Sequence, residues 1–305
     1  MIRNNLPKIS VLIPAYNQKV YLKKAIDSVL IQDYANIEII ISDDCSNDGT
    51  DVMMLQYRDN NKVKYYRNEI NVGINNSKIL FYELSEGKYV LILNHDDYFI
   101  SNNYLTRAIT MMEENENINL VFANVITLTE ATGESDLSDI DIAPITNGIE
   151  YFINYGSNHY PHIVGTLTTV FKREDAVRMG VLNENTVSRD LFRNLKLMLL
   201  GDVGFISDTV AVYRIHNASI TFNYPEGYDL STINEFEKLR LYAIALGIDR
   251  DTMDKWVQLR VYKYIEWRFT ILWSQKKTKE ALQLLLSIPE KYIFISLFFN
   301  RISFR

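Results

Sequence analysis

Three short segments of this chain set oxygen-bearing or aromatic side chains directly after apolar runs: Pro14-Ala15-Tyr16-Asn17, Asp43-Asp44 and Asn94-His95-Asp96-Asp97-Tyr98. Adjacent carboxylates repel unless a cation or a donor-rich ligand neutralises them. Asp96-Asp97 therefore reads as a site for a hard cation. Mg²⁺ and Mn²⁺ prefer oxygen ligands and are commonly held by one or two carboxylates plus substrate phosphates. Taken alone, Asp97 reads better as an N-cap for a helical run beginning near Asn102. No G-x-G-x-x-G follows the first apolar run and no G-x-x-x-x-G-K-[ST] occurs, which weakens dinucleotide and P-loop readings. A nucleotide would then be held by Tyr16 stacking on a base, by Asp44 accepting from base or ribose, and by a metal on the diphosphate.

These segments need strands to present them. Lys8–Ile13, Ile37–Ile41 and Lys88–Leu93 are short β-rich runs, and the second, apolar at every position but Glu38, marks a strand buried on both faces of a parallel sheet. Between them, Val20, Ala25, Ile26, Val29 and Leu30 share a helix face, Asp48-Gly-Thr opens another helix, Val63–Tyr66 is strand-like and Gly73–Leu84 reads as helix. This β-α-β-α-β order implies right-handed crossovers, with ligands beyond the carboxyl ends of the strands. Beyond the strand at 120–125, residues 131–148 read as a loop. Residues 165–171 and 209–215 read as strands, and 173–179 and 188–200 as helices. From about Phe236 the pattern is helical.

One cysteine, Cys45, excludes a disulfide framework and a Cys-based zinc site, and points to a reducing compartment. No stretch is apolar enough for a membrane span or signal peptide. Net charge is −6, but residues 255–305 carry ten Lys/Arg against three Glu, leaving −13 for residues 1–254. The acidic body argues against a nucleic-acid partner. The basic tail holds all three tryptophans, Trp256, Trp267 and Trp273, and ends in the apolar run Tyr292–Phe299. It fits either a helical core or peripheral contact with an anionic membrane.

The ordered set of segments resembles glycosyltransferase family 2, inverting enzymes of the GT-A fold. It runs from KISVLIPAYNQ through IEIIISDDCSNDGT, Asn71-Val72-Gly73 and Asn94-His95-Asp96-Asp97-Tyr98. It continues through Val170-Phe-Lys-Arg, Arg189-Asp190 and Gly201 to Tyr213-Arg214-Ile215-His216. The resemblance covers residues 7–220. It implies an α/β, Rossmann-like αβα sandwich over residues 1–225, followed by a helical region, 226–305. It implies that Pro14, Tyr16, Asn17, Asp44, Lys78 and Asp96 meet the donor nucleotide, with Asp43 structural. Asp96 and Asp97 match the family's D-x-D-D segment, which binds Mn²⁺ or Mg²⁺ and the donor diphosphate, with Asn94 in place of its first Asp as a further candidate ligand; His216 is expected either to ligate that metal or to contact the diphosphate. Asp190 matches the general base. Arg189 replaces the usual preceding Glu and is expected to lower, not raise, the pKa of a nearby carboxylate. His162 falls where acceptor loops occur, and Cys45 stands where the family often has Gly.

The expected activity is transfer of a sugar from a nucleotide-sugar, a UDP-sugar before dTDP- or GDP-sugars, to a hydroxyl of a glycan or lipid-linked oligosaccharide. Its expected place is the cytoplasm, including the cytoplasmic membrane face. The rivals are a sugar nucleotidyltransferase, which needs a Gly-rich basic loop after the first strand, and a catalytically inactive glycan-binding or scaffold subunit.

Overall fold

The computed structural model describes residues 6–184, 186, 188–216, 228–286 and 292. The first two strands, β1 (Ile9–Ala15) and β2 (Ile37–Asp43), follow the buried apolar runs, and the partly exposed β3 (Val63–Arg67) comes next, with helices α1 (Lys19–Leu30) and α2 (Thr50–Met54) between them. All seven residues of β2 are buried, as a strand covered on both faces requires. A 3-10 turn at Gly73–Asn75, helix α3 (Asn76–Ile79) and a wider turn at Leu80–Leu84 replace the continuous helix expected there. Strand β4 (Tyr89–Ile92) follows, and then the two-residue β5 (Tyr98–Phe99). Helix α4 starts only at Tyr104 and runs to Glu114.

Strand β6 (Ile118–Thr129) is longer than its apolar centre. The segment expected to be a loop contains β7 (Glu134–Leu137), paired antiparallel with β6, and β8 (Ile145–Thr146). The buried side chain of Asn124 closes this region. Its amide nitrogen donates to Ile140 O at 3.0 Å and Ser207 O at 2.9 Å, and its oxygen accepts from Ser138 Oγ at 2.6 Å. Helix α5 (Gly148–Asn154) leads to β9, which is only Val170–Lys172. The residues before β9 form a turn, Thr169 N donating to Thr166 O at 3.0 Å, so most of the strand expected at 165–171 is absent. Helices α6 (Arg173–Arg178) and α7 (Arg189–Met198) precede β10 (Asp202–Ile215).

The sheet order is β3-β2-β1-β4-β9-β6-β10-β5, with β8 also pairing β10. Strands β3, β2, β1 and β4 are mutually parallel, β9 runs antiparallel between β4 and β6, and β10 is parallel to β6. The carboxyl ends of β2, β1 and β4 are thus neighbours, as the β-α-β pattern requires. Apolar side chains of β1, β2 and β4 pack with Leu22, Ile26 and Val29 of α1 and with Leu105 and Ile109 of α4 in one buried cluster. Each such side chain contributes roughly 1.5–3 kcal/mol when fully withdrawn from water.

The chain divides into two compact units, residues 1–183 with 189–217, and residues 184–188 with 218–305. The second unit contains α8 (Tyr228–Ala245), α9 (Arg250–Ser274) and α10 (Thr278–Leu286). Phe236 packs edge-on against Trp256 and Tyr264, while Asp229 accepts from Tyr264 Oη at 2.6 Å and Arg268 Nε at 3.0 Å. Trp256 is buried, whereas Trp267 and Trp273 are 41% and 55% exposed. Among the described residues no helix is long and apolar enough to cross a membrane. Of the terminal run Tyr292–Phe299, all but Tyr292 lies outside the described residues.

Candidate active site

The neighbouring strand ends are tied to one another by backbone. Asp44 N donates to Ala15 O at 2.8 Å, Leu93 N donates to Leu12 O at 2.9 Å, and His95 Nδ1 lies 3.0 Å from Pro14 O. Tyr16, 44% exposed, follows β1 with its ring open to a ligand. Asn17 adopts φ +50° and accepts from Asn47 N at 2.8 Å, joining the β1 and β2 ends. Asp43 is buried and accepts from Ser46 N at 2.9 Å and Tyr65 Oη at 2.6 Å, a structural assignment. Cys45 sits at φ +65°, in the left-handed region that favours glycine, which gives the physical basis for the family's Gly there.

Asp44 holds a loop. Its carboxylate accepts from Asn68 Nδ2 at 2.9 Å and from the backbone amides of Val72 and Gly73, both at 2.8 Å. It is 3% exposed, so any further partner would have to use the lone pairs these bonds leave. The loop continues into α3, where Lys78 is half-buried and carries no ion pair among the described residues.

Asp96 and His216, 120 positions apart, come together, with Asp96 Oδ2 3.0 Å from His216 Nε2. The next carboxylate behaves differently. Asp97 is 1% exposed, and its Oδ1 accepts from Arg214 N at 3.0 Å instead of capping a helix. Its Oδ2 has no hydrogen-bond partner among the described residues. Burial, and after it the charge of Asp96, pushes the Asp97 carboxyl well above the usual range. The backbone carbonyl of Asn94 accepts from Asp97 N at 3.1 Å.

The side chain of Arg214 fixes this corner. Its guanidinium lies 4.3 Å from the Tyr21 ring centre and 5.2 Å from that of Tyr98, and its Nε is 3.3 Å from Glu130 Oε1. Tyr21 donates its hydroxyl to Glu130, and its ring packs 5.6 Å from that of His216. The Tyr21 hydroxyl is pushed upward, first by that hydrogen bond and then by burial. Tyr21 and Glu130 carry no motif of their own. Their only signal in sequence is placement on α1 and just after β6, beside the end of β10.

Asp190 is half-buried in the first turn of α7, and no hydrogen-bonding side chain engages it among the described residues. Arg189 does not pair with it. The Arg189 guanidinium donates to Ile74 O and to Asn75 Oδ1, the latter at 3.3 Å. Adjacent helical residues project about 100° apart and do not face each other. His162 is exposed in the loop after α5, its ring edge-on to Tyr155 at 4.9 Å.

A family model described as Glycosyl transferase family 2 matches residues 10–216. The chain belongs to this family. Among curated relatives of this family-2 chain, a GalNAc(5)-diNAcBac-PP-undecaprenol beta-1,3-glucosyltransferase of Campylobacter jejuni is 34% identical over 135 residues, 44% of this chain and 43% of that one. An Escherichia coli UDP-Glc:alpha-D-GlcNAc-diphosphoundecaprenol beta-1,3-glucosyltransferase is 33% identical, over 38% of this chain and 45% of its own. TuaG of Bacillus subtilis, named for teichuronic acid biosynthesis, is 28% identical over 71% of this chain and 82% of its own. The match thus spans less than half the length of the first two relatives. The solved structure of Staphylococcus aureus TarS residues 1–349 with UDP-GlcNAc superposes with a TM-score of 0.71 at 18% identity, covering 94% of this chain and 83% of that one. The fold of this family-2 chain is GT-A.

The donor set fits a divalent cation in one specific way. Among the described residues there is no group of three or more His, Cys, Asp or Glu able to hold a metal ion. There is instead a carboxylate–imidazole pair, Asp96 and His216, and an orphaned oxygen on the residue next to Asp96. Two protein ligands, with substrate phosphates and water for the rest, is how such cations are commonly held beside nucleotides.

Proposed function

We propose that this protein is an inverting glycosyltransferase that moves a sugar from a UDP-sugar to a hydroxyl of a lipid-linked glycan. The observation that carries the proposal is the Asp96–His216 pair at the carboxyl end of β4, on the same sheet end as Tyr16 and the loop held by Asp44. Tyr16 supplies a stacking face for the base, and Lys78 supplies a cation for the diphosphate. Asp96 and His216 would hold Mn²⁺, an imidazole ligand favouring it over the harder Mg²⁺. When bound, such an ion neutralises charge on the departing diphosphate.

Asp190 takes the proton of the acceptor hydroxyl as that oxygen bonds to the anomeric carbon. The bond from this carbon to the diphosphate oxygen breaks, and the nucleoside diphosphate leaves with the electron pair. Attack opposite the leaving group inverts the centre and needs no covalent enzyme intermediate. A UDP donor and an undecaprenol-linked acceptor are supported by the names of the Escherichia coli and Campylobacter jejuni relatives. Peripheral attachment to the membrane that carries such an acceptor is the corresponding proposal for the basic stretch 255–305.

Titration calorimetry of UDP with Mn²⁺ and with EDTA tests the donor site, and radiolabelled transfer to undecaprenol-linked acceptors tests the reaction. Tight UDP binding only with Mn²⁺, and sugar-donor consumption releasing UDP, are expected. Pyrophosphate release would establish a nucleotidyltransferase instead. Absence of both donor hydrolysis and nucleotide binding would leave the inactive-scaffold reading.

A further inference from the structure

We infer that Arg189 is a positioning residue that ties the donor-side turn at Gly73–Asn75 to the helix start bearing Asp190; the inference rests on the glycosyltransferase reading above. Arg189 is the first residue of α7 and is 8% exposed. Its guanidinium donates to Ile74 O and, at 3.3 Å, to Asn75 Oδ1, a link between positions more than a hundred residues apart. The same turn is held from the β2 side. Asp44 accepts from Val72 N and Gly73 N at 2.8 Å, and Asn76 Nδ2 donates to Ser42 O at 2.7 Å. Lys78 lies in the α3 turn that follows directly.

The turn is therefore fixed twice, once by the strand end that meets the donor and once by the helix that carries the base. A sugar transfer demands that these two sides keep register, because the acceptor oxygen must approach the anomeric carbon in line with the departing diphosphate. A charged donor on a backbone carbonyl and a side-chain amide oxygen is a strong, directional way to enforce that register. A glutamate at this position could not make either bond, since it has no donor when ionised. Arg189 thus couples donor and base in this chain.

The test uses the full-length protein with UDP, Mn²⁺ and UDP-glucose, comparing Arg189→Met, Arg189→Lys, Asn75→Ala and the double variant. Melting temperature, UDP affinity by calorimetry and UDP-glucose hydrolysis are measured for each. Asn75→Ala is expected to melt like the wild type yet bind UDP about threefold to fivefold more weakly, the scale of one charge-assisted hydrogen bond. Arg189→Met is expected to lose about tenfold in both UDP affinity and kcat. Arg189→Lys should recover part of each, because an ammonium can still reach Ile74 O. The double variant should be no worse than Arg189→Met, the mark of two groups acting through one link.

Wild-type-like UDP affinity and kcat in both Asn75→Ala and Arg189→Met would overturn the inference, as would a fall in melting temperature with kinetics unchanged. If the wild type itself binds no UDP, the functional reading falls and takes the inference with it. Wild-type binding with unaffected variants removes the inference alone.

Discussion

Replacing Asp190 with Asn should separate chemistry from folding and from donor binding. The side chain is half-buried in the first turn of α7, and no hydrogen bond or ion pair engages it among the described residues. Asn keeps its shape and removes only the charge. The stability lost is then the interaction of a carboxylate with the helix N-terminus, about 0.3–1 kcal/mol. That corresponds to a shift of only a few degrees in melting temperature for a domain of this size. The catalytic loss is of another order, since removing a general base typically costs about 10²–10⁴-fold in rate. UDP affinity in Mn²⁺ should stay within about twofold, because the proposed donor contacts come from Tyr16, Lys78, Asp96 and His216. The assay pairs calorimetry with initial rates of UDP release in the presence of acceptor, on protein whose melting curve has been recorded. Turnover within a few-fold of wild type would remove Asp190 from the mechanism. Loss of UDP binding together with a large fall in melting temperature would make it a helix-terminal residue only.

Asp96→Asn and His216→Ala should each weaken Mn²⁺-dependent UDP binding by about tenfold or more, and the double variant should add little, as two ligands of one ion share their loss; additive losses in calorimetry would place them in separate sites. Glu38 offers a pH test: burial alone would raise its carboxyl, but Ser10, Lys64 at 2.9 Å and Glu86 N at 3.1 Å hold it below the usual range. Its contribution is therefore complete above an unfolded value near about 4.3 and is lost as pH falls through the lower folded value. Glu38→Gln should cost about 1–3 kcal/mol in urea unfolding at neutral pH, with the gap to wild type closing in acid; a gap independent of pH would refute the assignment. For the membrane proposal, the exposed residues Lys276, Lys277 and Lys279 should supply up to about 1 kcal/mol each toward an anionic surface, so their replacement by Glu should abolish co-sedimentation with phosphatidylserine vesicles. Vesicle binding that ignores both lipid charge and salt would defeat it.

The strands that carry the site were legible because burial on both faces leaves a largely apolar run, and β1, β2 and β4 have one each. β7 was not legible. Its four residues are exposed and polar, and only backbone pairing with β6 makes them a strand. Thr166–Thr169 misled in the opposite sense, with strand-forming residue types bent into a turn after Gly165 at φ +59°. Strand propensity reports fit to a pleated surface, and it yields wherever backbone geometry is fixed by something else.

The site shows the same division one level up. Proximity in sequence assigned Arg189 to its neighbour Asp190, yet a helix turns adjacent side chains away from each other and a buried cation takes whatever acceptors its own direction offers. Those acceptors belong to a turn that sequence order leaves far away, so no reading of residues 185–195 alone could find them. Asp96 and His216 were paired in advance only because an ordered set of family motifs implied it; spacing by itself gives no reason to join positions 120 apart. Asp97, indistinguishable from Asp96 as a residue type, acquires its own role through burial of one oxygen against the Arg214 amide. What a local sequence determines is which groups are available at a strand end. Which of them face the substrate, and which hold the frame that keeps the others in place, is decided by the strands and helices brought alongside. Substitutions at the framing positions Asp44, Asp97 and Arg189 are therefore expected to alter the affinity and geometry of a bound donor, whereas under the proposed mechanism a change at Asp190 is expected to alter the proton transfer.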